Sequence, residues 1–206
     1  MNGMISTGGA SVPTTRRLMI FIDGGYLRKG VNTILRDVKA DEKISYRGLR
    51  DFIVSQVATE GIRPELIRAY YYDAIADPLE QPEKHKKQKK YFEKIQSKKL
   101  YELRLGRQVK VKGGDRQKGV DILLTLDMLS KGFLRHYDIA AFVGGDDDFL
   151  DLISAVKNLA GRRVFGFYFS HNASDRLKDS FDVEIVLDKA KVKSIITKKT
   201  GRKTIK

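Results

Sequence analysis

The sequence predicts a three-layer α/β fold with a mainly parallel central sheet. Three short, continuous apolar runs have the length and composition of strands buried on both faces of a sheet. They are Leu18–Ile22, Ile139–Val143 and Val164–Phe169. Between such runs lie segments with helical spacing of apolar residues, and the connections are short, as in folds built from β-α-β units.

The first half of the chain contains two predicted strands and three predicted helices. In order, they are strand Leu18–Ile22, helix Tyr26–Leu35, helix Ser45–Glu60, strand Leu66–Tyr72 and the lysine-rich helix Glu83–Leu100. The second helix carries apolar residues at helical spacing and is ended by Gly61. Asp73 is expected just past the end of the second strand.

The second half begins with an ambiguous segment. Glu102–Leu105 and Gln108–Val111 each alternate apolar and polar residues around Gly106-Arg107, which fits either a short hairpin or one broken edge strand. The remaining predicted elements are helix Val120–Leu134, strand Ile139–Val143, helix Phe149–Leu159, strand Val164–Phe169, a short helix from Ser174 to Ser180, and strand Val183–Leu187. Helix Val120–Leu134 is apolar nearly all round, so we expect it to be buried.

Composition excludes several classes of protein. The 206 residues include no cysteine, which rules out disulfides and thiolate metal sites, and only three scattered histidines, which argues against a zinc cluster. No apolar run approaches the roughly 20 residues of a membrane span. We therefore predict a cytoplasmic protein with no membrane association, comprising a flexible leader (1–16), one domain (17–188) and a basic tail (189–206).

Positive charge is concentrated in two segments. The net charge is +14, yet Lys84–Lys118 alone carries 14 Lys/Arg against three acids, and Lys189–Lys206 carries eight against none. This leaves an acidic remainder, an arrangement that suits a polyanion bound across a cation-holding site. The predicted nucleic-acid-binding residues are Lys84, Lys86, Lys87, Lys89, Lys90 and Lys118. The alternative is that the lysines only solubilise a helix and a frayed tail.

Aspartates follow the predicted strands at one edge of the sheet. Asp23 follows the first strand, and Asp146, Asp147 and Asp148 follow strand Ile139–Val143. Such a run can cap a helix, or it can share a hard divalent cation. Asp121 lies in the first turn of the apolar helix and would need a partner if buried. Thr125, four residues on, shares its helical face, and Asp127 does not.

Three acidic motifs resemble those of the NYN domain, the LabA-like branch of the PIN nuclease superfamily. They are Phe21-Ile22-Asp23-Gly24-Gly25-Tyr26-Leu27, then Lys118-Gly119-Val120-Asp121 with Asp127, then Val143-Gly144-Gly145-Asp146-Asp147-Asp148-Phe149. Tyr71-Tyr72-Asp73 and Ser174-Asp175-Arg176-Leu177 also match. The resemblance spans roughly Arg17 to Leu187 and implies a PIN-like Rossmannoid fold.

The resemblance also implies an active site. Its acids would hold Mg²⁺ or Mn²⁺ for cleavage of RNA, with Asp23, Asp121, Asp146 and Asp148 as catalytic metal ligands. Thr125 and Asp127 would be accessory, and Asp127 is alternatively structural. Asp147 matches the variable position of the family motif, so we expect it to face solvent. The sequence departs from the family pattern at Tyr26, where many members have Asn, and at Gly144, where Ser is usual.

These observations favour a metal-dependent ribonuclease that uses a metal-activated water and leaves a 5′-phosphate. Carboxylate-held ions can activate water and neutralise the phosphodiester, so no histidine base is needed. The alternative is a binding or regulatory module without catalysis. A phosphatase with Asp23 as nucleophile is disfavoured by Gly25, where a second Asp is usual. A nucleotide-binding site is disfavoured because Asp23 would stand where phosphate requires backbone N–H groups. Pairing with a second copy of the chain is left open.

Overall fold

The computed structural model describes residues 14–35, 43–58, 61–112 and 114–197. A seven-stranded sheet at the centre has the strand order β5-β4-β3-β1-β6-β7-β8, and a two-stranded sheet pairs β2 with β9. The strands are β1 Thr15–Asp23, β2 Lys43–Ile44, β3 Arg63–Ala76, β4 Tyr101–Val111, β5 Gly114–Lys118, β6 Ile139–Val143, β7 Arg163–Tyr168, β8 Val183–Val186 and β9 Ile196–Thr197.

Helices separate most of these strands along the chain. They are α1 Gly24–Ile34, α2 Tyr46–Ala58, α3 Pro82–Gln96, α4 Val120–Phe133, α5 Leu150–Asn158, α6 Asp175–Ser180 and α7 Lys189–Ser194, with a 3-10 turn at Asp147–Phe149. The predicted α/β class with a mainly parallel sheet is confirmed. None of the helices in these ranges is long and apolar enough to cross a membrane.

Strand β1 lies in the middle of the sheet, parallel to both of its neighbours. Leu18 to Ile22 are fully or almost fully buried, which explains the unbroken apolar run that predicted this strand. Ile22 pairs with Val143 at the end of β6, and Asp23 pairs with Tyr72 of β3. Parallel pairing therefore brings the turns that follow β1 and β6 to the same edge of the sheet.

Strand β3 extends further than the sequence predicted. It continues from Arg63 through Ala76, so Asp73 lies inside the strand and not beyond its end. The ambiguous segment after α3 is one unbroken strand, β4, which pairs in parallel with β3. An antiparallel partner, β5, covers its outer edge, so the hairpin lies between β4 and β5 and not within β4.

Helix α4 is not buried all round, contrary to the sequence prediction. Leu124 and Met128 are fully buried against the sheet, whereas Ile122, Leu126 and Phe133 are 65%, 61% and 53% exposed. The helix packs on the sheet with one face, and apolar side chains occupy the outer face as well. Asp121, which a buried helix would have left partly buried, is exposed for the same reason.

The first nine residues of the predicted basic tail are folded. Lys189–Ser194 form α7, which begins after the capping side chain of Asp188, and Ile196–Thr197 form β9. Val192 and Ile195 are fully buried in the main hydrophobic core. Lys189 and Lys193 of α7 are exposed. The segment is therefore an amphipathic helix, although its high positive charge predicted a tail. Residues 198–206 of the predicted tail and 1–13 of the predicted leader lie outside the described residues.

Replacing Ile195 by Ala tests whether this segment belongs to the folded unit. Loss of a fully buried isoleucine should lower the free energy of unfolding by about 2–5 kcal/mol, measured by urea denaturation. Lys193→Ala is the matched control, because Lys193 is exposed on the same helix. Equal unfolding midpoints for the two variants would contradict the packing of α7 on the core.

Candidate metal centre and nucleic-acid surface

Asp23 ends β1 and caps α1. Its Oδ1 accepts a hydrogen bond from the backbone N–H of Tyr26, at 2.9 Å, which satisfies one of the free donors in the first turn of the helix. The N-terminus of α1 therefore stabilises the carboxylate through the helix dipole. The side chain is only partly exposed at the edge of the sheet.

Asp146 and Asp148 occupy the turn after β6. Asp146 caps the 3-10 turn by accepting the backbone N–H of Asp148, at 3.3 Å, and both residues are exposed. Phe149 is buried and packs edge-on against Phe142 of β6, with ring centroids 5.2 Å apart. This apolar contact fixes the turn, so the aspartates on it are held outside the sheet edge.

Asp121 reaches the same edge from α4. The hairpin strand β5 ends at Lys118, and Gly119 then takes a φ of +82°, which reverses the chain into the helix. A residue with a side chain would be strained in this left-handed conformation. Val120 packs beneath β4, where it contacts Gly106, and Asp121 follows at the surface.

Asp121 lies near enough to Asp23, Asp146 and Asp148 for their charges to influence one another's ionisation. Burial, together with the charge of Asp121, raises the pKa of Asp23 to about 6. Partial desolvation, with the charges of Asp146 and Asp148, raises the pKa of Asp121. The structure thus couples acids from three separate segments of the chain, and like charges held together favour protonation or a bound cation.

The two departures from the family pattern have steric explanations. A side chain at Gly144 would collide with the ring of Phe142, so serine does not fit there while that ring is in place. Tyr26 cannot make the amide contacts of the Asn that many members carry. Its hydroxyl instead accepts a hydrogen bond from the backbone N–H of Phe169, at 2.8 Å. Its ring lies directly against Gly145, so Tyr26 joins α1 to the ends of β6 and β7.

Asp147 does not simply face solvent, which corrects the sequence prediction. It accepts a hydrogen bond from the hydroxyl of Ser174, the residue that caps α6, and one from Arg176, at 3.2 Å. The run of three aspartates is therefore divided. Asp147 ties the turn to α6, whereas Asp146 and Asp148 have no cationic partner among the residues that the structure describes.

Asp127 has a structural role. It accepts hydrogen bonds from Tyr72, at 3.1 Å, and from Arg104, at 3.0 Å, and it pairs with Lys131 one turn further along α4. Tyr72 and Arg104 thereby anchor α4 to β3 and β4, and Lys131 pairs with Asp127 within the helix. Thr125 is half-buried on the same helix. The accessory role predicted for Thr125 stays a prediction.

Asp73 is diverted from the acidic centre by an arginine. Its carboxylate, 1% exposed, accepts two N–H donors of the Arg28 guanidinium and the backbone N–H of Ala74. The same guanidinium donates to the hydroxyl of Tyr71 at 2.9 Å. Arg28 also lies close enough to Asp23 to favour its ionised form. The sequence offered no signal for this pair, because it requires the extension of β3 beyond Tyr72.

A basic surface lies on α3 and on the hairpin strand β5. Four lysines on α3 are exposed and form no ion pair within the described ranges: Lys86, Lys87, Lys89 and Lys90. Lys84 is half-buried and pairs with Asp115 of β5, which joins α3 to the hairpin. Lys118 is exposed on β5. The neighbouring Gln117, which the sequence analysis did not single out, lies beside Gly25. Its amide would be 3.6 Å from a Cβ atom added to that glycine.

Residues 17–188 match the NYN domain family. The chain belongs to the NYN domain family. It is thus a member of the PIN-like nuclease superfamily, whose members are generally nucleases that act on nucleic acids and typically use divalent metals. No curated protein matches the sequence.

Comparison with solved structures supports the same fold for this NYN domain. A protein of unknown function from Vibrio parahaemolyticus superimposes with a TM-score of 0.60 at 20% identity, over 88% of this chain and 96% of that one. A Sir2 enzyme structure also matches, with a TM-score of 0.37 at 12% identity over 87% of this chain and 90% of that one, too low to carry an argument.

The acidic centre fits an ion that keeps most of its water ligands better than an ion enclosed by protein ligands. Carboxylate oxygens are the donors that Mg²⁺ and Mn²⁺ prefer. Within the described ranges, however, no three acidic or imidazole side chains are close enough to enclose one ion. Mg²⁺ keeps several waters and commonly uses only one or two carboxylates. The aspartates of this NYN domain are enough for such an ion, and Asp121 and Asp148 form no ion pair within the part of the chain that the structure describes.

The free energy of unfolding in chelating buffer should depend on pH because the pKa of Asp23 is raised in the folded chain. The folded chain holds this proton up to about pH 6, whereas the unfolded chain loses it near 3.8. Ionisation therefore weakens the folded state as pH rises through that window. Asp23→Asn, which retains a capping oxygen, should become increasingly more stable than the wild type between these pH values, as measured by urea unfolding.

Asp115→Asn serves as the contrasting control for this experiment. Lys84 holds the pKa of Asp115 below its usual value, so its ionised form stabilises the folded chain. This variant should lose a little stability above about pH 4 instead of gaining it. A pH-independent difference between Asp23→Asn and the wild type would contradict the desolvation of Asp23.

Proposed function

We propose that this NYN domain is a metal-dependent ribonuclease that cleaves RNA phosphodiester bonds in the cytoplasm. The observation that carries the proposal is the parallel pairing of β1 with β6, which brings the turns of Asp23 and Asp146 to one edge of the sheet. Asp121 lies near enough to Asp146 and Asp148 for their charges to raise its pKa. Four anionic groups repel RNA unless a cation is present. Because the chain belongs to a superfamily of nucleases, we infer that this cation takes part in cleavage.

Each acid has a role in this proposal. Asp23, Asp121, Asp146 and Asp148 would hold Mg²⁺ or Mn²⁺, which when bound supplies charge neutralisation and an activated water. Asp23 and Asp146 are oriented by the backbone N–H groups that they cap, at 2.9 and 3.3 Å. Such pre-oriented carboxylates lose little conformational freedom on taking up their ligand.

The basic surface would bind the RNA backbone. Lys86, Lys87, Lys89 and Lys90 have no competing acid in the described part of the chain, and Lys118 lies on the hairpin that passes beside Gly25. Lys84 is already paired with Asp115, so we assign it a smaller share of the binding. Because these contacts are to phosphates, binding should be indifferent to sequence and should weaken steeply with salt.

Asp146→Asn should abolish cleavage, and Asp147→Asn should not. The first change removes a proposed ligand while keeping the cap, and we expect cleavage of labelled single-stranded RNA with Mn²⁺ to fall by about 100-fold or more. The second changes the adjacent acid, which contacts Ser174 and Arg176. Equal cleavage by both variants and the wild type would refute the assignment of the centre.

A non-catalytic nucleic-acid-binding or regulatory module is the second candidate. The observation that favours it is that the described acids do not close around one point as a ready-made cage would. Its signature would be RNA affinity that is unaffected by divalent ions and by Asp→Asn changes, with no cleavage by the wild type. The ribonuclease proposal instead requires the wild type to cut RNA and to bind the ion.

Divalent ions should stabilise the wild-type protein. An ion that binds only the folded state at 100 times its dissociation constant adds about 2.7 kcal/mol, so Mn²⁺ should raise the melting temperature by roughly 5–10 °C. Asp121→Asn should lose most of this shift, and Asp127→Asn is the control, because Asp127 is paired with Arg104 and Lys131. A shift that is identical in all three proteins would place the ion elsewhere.

A further inference from the structure

Arg28 is held rigidly beside the acidic centre while part of its guanidinium stays unused. Nη1 donates to Tyr71 and to Asp73, and Nη2 donates once to Asp73, at 3.1 Å. A guanidinium carries five N–H donors, so three are engaged. The N–H of Nε and one N–H of Nη2 have no partner within the described ranges. These two donors form one edge of the planar group, the edge that binds an oxyanion in bidentate fashion.

Arg28 also lines an open groove on α1. The groove has a volume of about 510 Å³ and is lined by Gly25, Arg28, Lys29, Asn32 and Thr33. Its lining includes two cations and no acid. The side chain of Arg28 is 35% exposed, whereas its partner Asp73 is 1% exposed, so the aspartate is closed off from solvent while part of the arginine stays accessible.

The groove begins at the acidic centre. Gly25 is two residues from Asp23, and Arg28 is near enough to stabilise the ionised form of that aspartate. A buried aspartate needs a cationic partner, and this requirement alone explains why an arginine faces Asp73. It does not explain the open edge or the second cation in the groove. A lysine would satisfy Asp73 as a point charge, without offering a second planar edge.

We propose that Arg28 clamps a phosphate of the RNA backbone through its Nε and Nη2 edge, so that the strand leaves the acidic centre along the groove on α1. The proposal rests on the proposed function for the identity of the polyanion. Asp73 and Tyr71 act as positioning residues, because they fix the guanidinium without touching the RNA. The scissile phosphate lies at the aspartates, and the clamped phosphate is a neighbour in the same chain.

Binding without cleavage tests the clamp. Affinity for a short fluorescein-labelled single-stranded RNA is measured by anisotropy in chelating buffer over a range of salt concentrations. Arg28→Lys should weaken binding by about 10-fold or more, since a charged bidentate contact is lost. Arg47→Lys is the matched control: Arg47 also pairs with an aspartate, at 3.7 Å, but lies on α2 outside the groove. It should bind as the wild type does.

A second variant leaves the buried ion pair intact. Asn32 is exposed one turn after Arg28, so Asn32→Glu places a carboxylate where it competes for the free edge. It should weaken binding by a similar factor and make the salt dependence shallower by about 0.7 in the log–log slope, the value for one phosphate contact on a single strand. Unchanged affinity and slope in Asn32→Glu overturn the clamp, even if Arg28→Lys is weakened through loss of stability.

The clamp and the ribonuclease can fail separately. Weakened RNA binding by Asn32→Glu, together with no cleavage by the wild type in Mn²⁺, supports the clamp and refutes the nuclease. Cleavage that depends on Asp146, together with wild-type binding by Asn32→Glu, supports the nuclease and refutes the clamp.

Discussion

Repulsion among carboxylates at one edge of the sheet is the constraint around which this protein is built. The parallel pairing of β1 with β6 fixes the position of these carboxylates. Because Ile22 lies beside Val143, the turns that carry Asp23 and Asp146 are neighbours. Burial and the charge of Asp121 then oppose the ionisation of Asp23. A fold selected for stability alone gains nothing from this arrangement, since apolar or amide side chains would fit the same turns without the electrostatic penalty.

Much of this arrangement was predictable because its signals are local. Continuous apolar runs identified the buried strands, and Asp23 and Asp146 follow such runs closely enough to lie at the sheet edge. The motif resemblance added the grouping of Asp23, Asp121 and Asp146, which no periodicity could provide. Composition also singled out the lysine-rich helix, although its extent, Pro82–Gln96, follows from the chain turning at Ser97.

The errors share a different cause, because each depends on a partner distant in sequence. Asp73 looked like another edge acid, and only the reach of Arg28 from α1 shows that it is buried and neutralised within β3. Asp147 looked solvent-facing because its partners belong to α6. The basic C-terminal segment looked featureless, since the apolar residues that fold it, Val192 and Ile195, matter only once they meet the core. Sequence patterns indicate which residues tend to be buried. They do not indicate which side chain, distant in sequence, will contact a given residue.

Opposite charges placed side by side raise the question of why they do not simply neutralise one another. Lys84 and Asp115 do so, as do Arg28 and Asp73, and in each case the pair joins two elements of the fold. The four central aspartates are different, because no lysine or arginine of the described chain forms an ion pair with them. A flexible lysine within reach would need little reorganisation to pair with an exposed carboxylate. The exposed lysines of α3 likewise form no ion pair within the described ranges. A polyanion with a metal ion satisfies both groups at once, which neither a cation nor an RNA strand alone can do.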